Sequence, residues 1–365
     1  MHIRWCKPHV NKFWVTLLLV TPLTAAACGS SNASSNAASS SSTTSAATGN
    51  SVASVAQYTG PTQNVTLMLN FTYSGHYAPF FYGKKLGYFK KEGINLTIEP
   101  GSGSLNTVQA VGSGHADFGW ADAPSIITGI AAGVPVHALG AFEQTSTSAV
   151  IFFANSGIKT PADLVGKSVG ITPGDALSQT FPAFLKANNI PANKVTIVHV
   201  TAAAKIATLV EHKVDAIVGF FDNQAPVVAA KGKKKASAFL YSKYGVPFLG
   251  LGLFSSNQII TSHPGLAKRM FTAVQESWQA TQSNPSAAVD AMEAAVGQQL
   301  PSKSLLLTQL KDDLPTLHSG QNPNGPLGVN TKAQWAKTLS LLAQYGVVKN
   351  PGSPSEYWTS ASSLK

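Results

Sequence analysis

Residues 65–122 switch repeatedly between two hydrophobic periods, and that switching limits the folds open to the chain. The run from Val65 to Leu69 has strand length and ends in polar Asn70. The turn-rich segment Thr72 to Gly75 then leads into apolar residues at helical spacing. Ile94 to Glu99 alternates as a second strand would, Gly101 to Ser104 opens another helical pattern through Val111, and a third short strand is expected around Phe118 to Trp120. Strands alternating with helices are most simply joined in a parallel sheet. Ligands on such sheets sit at the carboxyl ends of the strands, which here carry Asn70 to His76, Gly101 to Ser104 and Trp120 to Asp122.

What precedes this stretch reads as targeting rather than fold. Residues 1–12 are basic, Phe13 to Val20 is a short apolar run, and Leu23 to Cys28 is rich in small residues, the pattern of a signal peptide over 1–27. The run is too short for a stable membrane span. Residues 29–64 carry no charge and consist mostly of Ser, Ala, Thr and Asn, so they cannot bury enough apolar surface to fold. As a flexible coil of about 35 residues they would reach roughly 30 to 35 Å, enough to tether a domain just off a membrane. Losing the leader removes Arg4, Lys7 and Lys12 and no acid, lowering the formal charge from +10 to +7. That excess suits a protein near anionic cell-envelope surfaces. Without an aromatic RNA-binding motif or a long basic helix, no nucleic-acid partner is expected. The cysteines are Cys6, in the leader, and Cys28, so the processed chain cannot form an internal disulfide.

The order of an aromatic and polar loop containing His76, then LGYFKKEGI, GSGS, GHADFGWADAPS and GVPV, resembles the extracytoplasmic substrate-binding proteins of ABC importers. Within that class it is most similar to the family covering thiamine pyrimidine precursors, with nitrate, sulfonate and taurine binders as relatives. The similarity runs from about residue 65 to about 271. LTAAAC likewise resembles a lipoprotein signal in which Cys28 becomes the lipidated first residue. Ala25 stands where Leu is commoner, and ordinary cleavage after Ala27 would release a soluble protein instead.

The resemblance implies an α/β, two-lobed periplasmic-binding-protein-like fold with two crossing strands at the hinge. Lobe one would comprise residues 65–150 and 250–345, lobe two residues 151–249, and 346–365 would form a C-terminal tail. Within lobe two, Thr160-Pro161-Ala162-Asp163 carries the signals of a helix start, and strand and helix patterns alternate through Phe220 to give a second parallel sheet. Lys231 to Lys235 reads as a solvated loop, with docking to a permease as the competing reading. Gly250 to Ser255 with Ile259-Ile260 reads as the returning strand. Four helical patterns follow: 264–282, 287–296, 302–310 and 331–345.

The candidate ligand contacts lie where strands hand over to helices. Asn70, Phe71, Tyr73, His76 and Tyr77 put an amide, hydroxyls and an imidazole beside aromatic faces, a set suited to a flat hydrogen-bonding ring. Ser102 and Ser104 would donate to an acceptor, and Gly174 would allow close approach beside Asp175 at the corresponding turn of lobe two. Trp120 and Asp122 are placed in the cleft because an aspartate is hard to bury alone. Phe221 and Asp222 offer a second stacking face with a polar end. Each has a plainer reading as core, cap or turn.

No catalytic residue is expected. Gly166-Lys167-Ser168 lacks the first glycine of a phosphate loop, where Pro161 stands. There is no Gly-x-Ser-x-Gly elbow, no His-Glu-x-x-His helix and no paired-cysteine site. The related branch that makes the thiamine pyrimidine uses a cysteine-rich motif, for which only Cys28 would remain. Neither a metal nor a cofactor is expected. The expected partners are a small-molecule ligand, an ABC permease and, through the lipid anchor, the membrane; the protein itself is expected to be a monomer. With only Arg4 and Arg269 in the chain, a guanidinium clamp for an anion has little to draw on.

Overall fold

The computed structural model describes residues 58–320 and 322–364. The leader, Cys28 and nearly all of the tether lie outside the described residues. β1 (Gln63–Met68), α1 (Ala78–Leu86), α2 (Tyr88–Lys91), β2 (Ile94–Glu99), α3 (Ser104–Gly112), β3 (Phe118–Asp122), α4 (Ala123–Ala131) and β4 (Val136–Ala141) follow in the alternation expected from the periodicity. The chain then builds β5 (Ser148–Phe153), β6 (Ser168–Ile171), α5 (Ala176–Ala187), β7 (Thr196–His199), α6 (Lys205–Val210), β8 (Ala216–Phe220), α7 (Phe221–Gly232) and β9 (Ala236–Leu240). It returns through β10 (Leu251–Ser256) to α8 (Asn257–Ser262), α9 (Pro264–Ser283), α10 (Pro285–Val296), α11 (Lys303–Asp313) and α12 (Lys332–Gln344).

Two five-stranded sheets result, ordered β2-β1-β3-β10-β4 and β7-β6-β8-β5-β9. Neither is purely parallel, which corrects the sequence reading. β10 runs antiparallel between β3 and β4, with Leu251 opposite Asp122, and β5 runs antiparallel between β8 and β9. Each of these strands has just crossed from the other sheet and therefore arrives from the opposite direction. The two crossings are joined by hydrogen bonds from Ser146 N to Phe248 O (2.9 Å) and from Gly250 N to Glu143 O (3.0 Å).

Other local readings shift as well. β5 belongs to the second sheet from Ser148 onward, earlier than the expected boundary at 150. Ile259 and Ile260 lie in α8 rather than in a strand, because the Ser256 hydroxyl accepts from Ile259 N and caps a helix there. Lys231 falls in the last turn of α7, Lys233 turns the chain in the left-handed region, and the unexpected edge strand β9 follows. The segment read as a tail is built into lobe one: Thr359 N donates to Ala138 O (3.0 Å), and Tyr357 and Leu364 are buried.

The core is set by β-strand alternation. In β5, Val150 and Phe152 join the large core cluster, while Ala149, Ile151 and Phe153 join a separate cluster on the other face with Leu209, Ile217 and Val228. In lobe one, α9 lays Trp278 over the sheet, where it stacks on Trp120 with ring centroids 5.9 Å apart.

Candidate functional site

The carboxyl ends of the parallel strands in both sheets converge on one junction. After β1 the chain presents Asn70 and Phe71, and Asn70 is buried, donating to Ser104 Oγ (3.2 Å) and accepting from the Tyr77 hydroxyl (2.7 Å). Ser104 opens α3. The residue before it, Gly103, sits at φ +147° against the turn of lobe two, where a Cβ would lie 2.6 Å from Gly174 O. Leu105 N donates to the same Gly174 oxygen (3.2 Å), so the two lobes meet backbone to backbone at this point.

Across from these residues, Asp175 caps α5 by accepting from Leu177 N (3.0 Å) and Ser178 N (2.8 Å). Its other oxygen is ion-paired with Lys205, whose side chain is 1% exposed and also donates to Val218 O (3.2 Å). The Lys205 ammonium lies 5.8 Å from the centre of the Phe71 ring of lobe one. Asn70, Phe71 and Ser104 from one lobe and Asp175, Lys205, Phe220 and Gln224 from the other line a cavity of about 10 Å³. That is about the space a single water requires, so a ring-sized ligand needs the lobes to part.

Behind the cavity the lobes are latched by buried polar groups. His76 Nδ1 lies 3.1 Å from Asp222 Oδ2, and the Thr147 hydroxyl, on a crossing segment, donates to the other oxygen. The Gln309 side chain of α11 accepts from Gly75 N (2.9 Å) and donates to Asn223 O (2.7 Å), tying lobe one to α7. Glu143 and Asp313 are buried nearby. Burial pushes both carboxyls well above the ordinary range, and each is pushed further by a neighbouring carboxylate.

Of the twelve candidate contacts, Asn70, Phe71, Ser104 and Asp175 line the cavity. Ser102 lines a wider groove with Thr172 and His199 at one mouth, Tyr73 lines another with Lys231, and Gly174 forms the lobe-to-lobe contact. His76 and Asp222 form the latch. Asp122 caps α4, accepting from Ser125 N (3.0 Å); burial raises its pKa, and the nearby Ser104 and Ser125 hydroxyls offset that rise only in part. Two placements correct the sequence reading. Trp120 packs in the lobe-one core with Phe80, Phe142 and Trp278, away from the cleft. Phe221 packs on the outer cluster of lobe two, while its neighbour Phe220 faces the cavity. Lys205, Gln224 and the latch residue Gln309 went unread, although a lone lysine inside the apolar run AAAKIATLV was a visible signal.

A two-sheet α/β molecule with a cavity between its lobes belongs to the periplasmic-binding-protein fold class. The alkanesulfonate-binding protein SsuA from Xanthomonas axonopodis pv. citri, solved bound to MOPS, superposes with a TM-score of 0.64 over 82% of this chain and 99% of its own, at 15% identity. A family model described as NMT1/THI5 like matches residues 74–288, more than half of the chain, and the chain belongs to that family. A formylaminopyrimidine-binding protein from Halalkalibacterium halodurans is 23% identical over 79% of this chain and 87% of its own length. A 4-amino-5-hydroxymethyl-2-methylpyrimidine phosphate synthase from Uromyces fabae is 29% identical, but over only 30% of this chain and 32% of its own.

Proposed function

We propose that the chain is the extracytoplasmic substrate-binding component of an ABC importer, and that it captures a small flat heterocycle of the thiamine-pyrimidine type by closing two lobes on it. The observation that carries this reading is the inter-lobe cavity, where the aromatic residues Phe71 and Phe220 accompany the amides of Asn70 and Gln224. A ligand touching both lobes favours the closed arrangement, which a permease can then recognise. Binding without turnover suits a junction built of caps and latches. The likeness to the pyrimidine synthase covers under a third of either chain.

Charge favours a neutral or cationic ring over a sulfonate or nitrate. Lys205 is the single buried lysine among the described residues and is already paired with Asp175, while Asp222 is held by His76 and Thr147 and burial pushes Asp122, Glu143 and Asp313 toward the neutral form. Arg269 is engaged elsewhere, donating to Glu92 O (2.9 Å) and stacking over Tyr58. An anion would enter a buried site whose one cation is already paired with Asp175, with no free positive charge to meet it. We further propose that Cys28 is lipidated and that residues 29–64 hold the binding domain at the membrane.

Thermal shift of the purified protein against thiamine pyrimidine precursors, riboflavin, taurine, alkanesulfonates and nitrate tests the ligand class. Ligand at a hundred times its dissociation constant adds about 2.7 kcal/mol, a shift of several degrees. Stabilisation by a pyrimidine and none by the anions is the expected result; the reverse pattern would overturn the charge argument. Mass spectrometry of the membrane fraction tests the anchor, a diacylglyceryl group on Cys28 being the expected finding.

A further inference from the structure

We infer that Lys205 is the residue that selects the ligand's acceptor atom, held in position for that task by Asp175; this rests on the binding reading above. A lysine ammonium has three donors. Two are committed, one to Asp175 and one to Val218 O, and no third partner is present among the described residues. The side chain cannot swing away, because Asp175 is itself fixed by two backbone N–H groups at the start of α5. The ammonium also faces lobe one, with the Phe71 ring 5.8 Å away. The buried Gln224 lines the same cavity, with its Oε1 atom packed against Gly219.

A fixed donor matches a ring nitrogen or carbonyl, as on the edge of an amino-substituted azine or of an amide. Because Asp175 already neutralises Lys205, the preferred acceptor is neutral; a full anion would crowd the aspartate. Lys205 is therefore a specificity-determining residue, and a purely structural ion pair would lack this selectivity.

The test uses formylaminopyrimidine and analogues in which each ring nitrogen, or the formyl oxygen, is replaced in turn by carbon. Titration calorimetry compares wild type with the double variant Lys205→Met/Asp175→Asn, which leaves no unpaired charge and keeps a capping side chain on α5. In wild type one analogue should bind about 10- to 100-fold more weakly than the parent, and that penalty should vanish in the double variant. A penalty of equal size in a cooperatively melting double variant overturns the assignment while leaving the ligand class intact. Absence of any binding of formylaminopyrimidine to wild type removes the pyrimidine reading, and this assignment with it.

Discussion

Asp122 and Asp175 stand in similar places in the two lobes. Asp122 ends a strand and Asp175 closely follows one, and each caps the next helix through its side chain and is almost fully buried. Of the two, only Asp175 has a cation among the described residues. In lobe two α6 begins with Lys205 under the cap; in lobe one no cation among the described residues pairs with Asp122, and burial drives its carboxyl toward the protonated form. The cap fixes where a carboxylate sits, but a third element, distant in sequence, decides whether it has a counterion.

The largest expected effects break the pair in lobe two. Lys205→Met leaves the Asp175 carboxylate buried without its counterion and should cost about 3 to 5 kcal/mol. Asp175→Asn, which keeps a cap but strands the lysine, should cost nearly as much. Chemical denaturation measures both. The double variant should recover most of the loss, since a buried pair replaced as a unit is often neutral. A double variant as unstable as either single variant would mean that the pair matters through packing rather than charge.

A smaller effect comes from the carboxylates of the latch. Glu143 and Asp313, like Asp122, are raised by burial first, so the folded chain keeps protons that the unfolded chain releases. Their contribution to stability is complete below the ordinary values of 4.5 and 3.8 and is lost as pH rises through the raised ones. His137 works in the opposite direction: burial lowers its pKa, so below 6.5 its contribution falls as the medium becomes more acid. The clean window therefore lies above 6.5. Between there and about pH 8 the melting temperature of wild type should fall, and Glu143→Gln should flatten that fall. Parallel profiles for the two proteins would take Glu143 out of the account.

The contrast between the aspartates also shows what a sequence can disclose. The alternation of strand and helix periods located the strand ends, and with them Asn70, Phe71, Ser104 and Asp175, because those positions follow from local pattern. Side-chain direction at a strand end does not. Phe220 and Phe221 are adjacent, and one step along the chain exchanges the cavity for the outer core. Trp120 could face either way until α9, more than a hundred residues downstream, supplied Trp278 to stack on it. The antiparallel placement of β5 and β10 followed from the two crossings, which neither strand's own composition encodes.

The smallest effect sharpens the comparison most directly, because it applies the lobe-two substitution to lobe one. Asp122→Asn retains a side chain that caps α4 about as well as aspartate does. It removes a carboxyl whose charged form is opposed by burial. No cation is stranded, so the cost should stay within about 0.5 kcal/mol near pH 5, where burial keeps more of this carboxyl protonated than of an exposed aspartate. Toward pH 8 the asparagine should become the more stable form by up to about 1 kcal/mol, because the native chain must then either ionise the buried acid or keep its proton at rising cost. Denaturant midpoints at the two pH values decide it. A loss of several kcal/mol at pH 8 would show that Asp122 has a charge partner after all, and the two lobes would differ less than their geometry says.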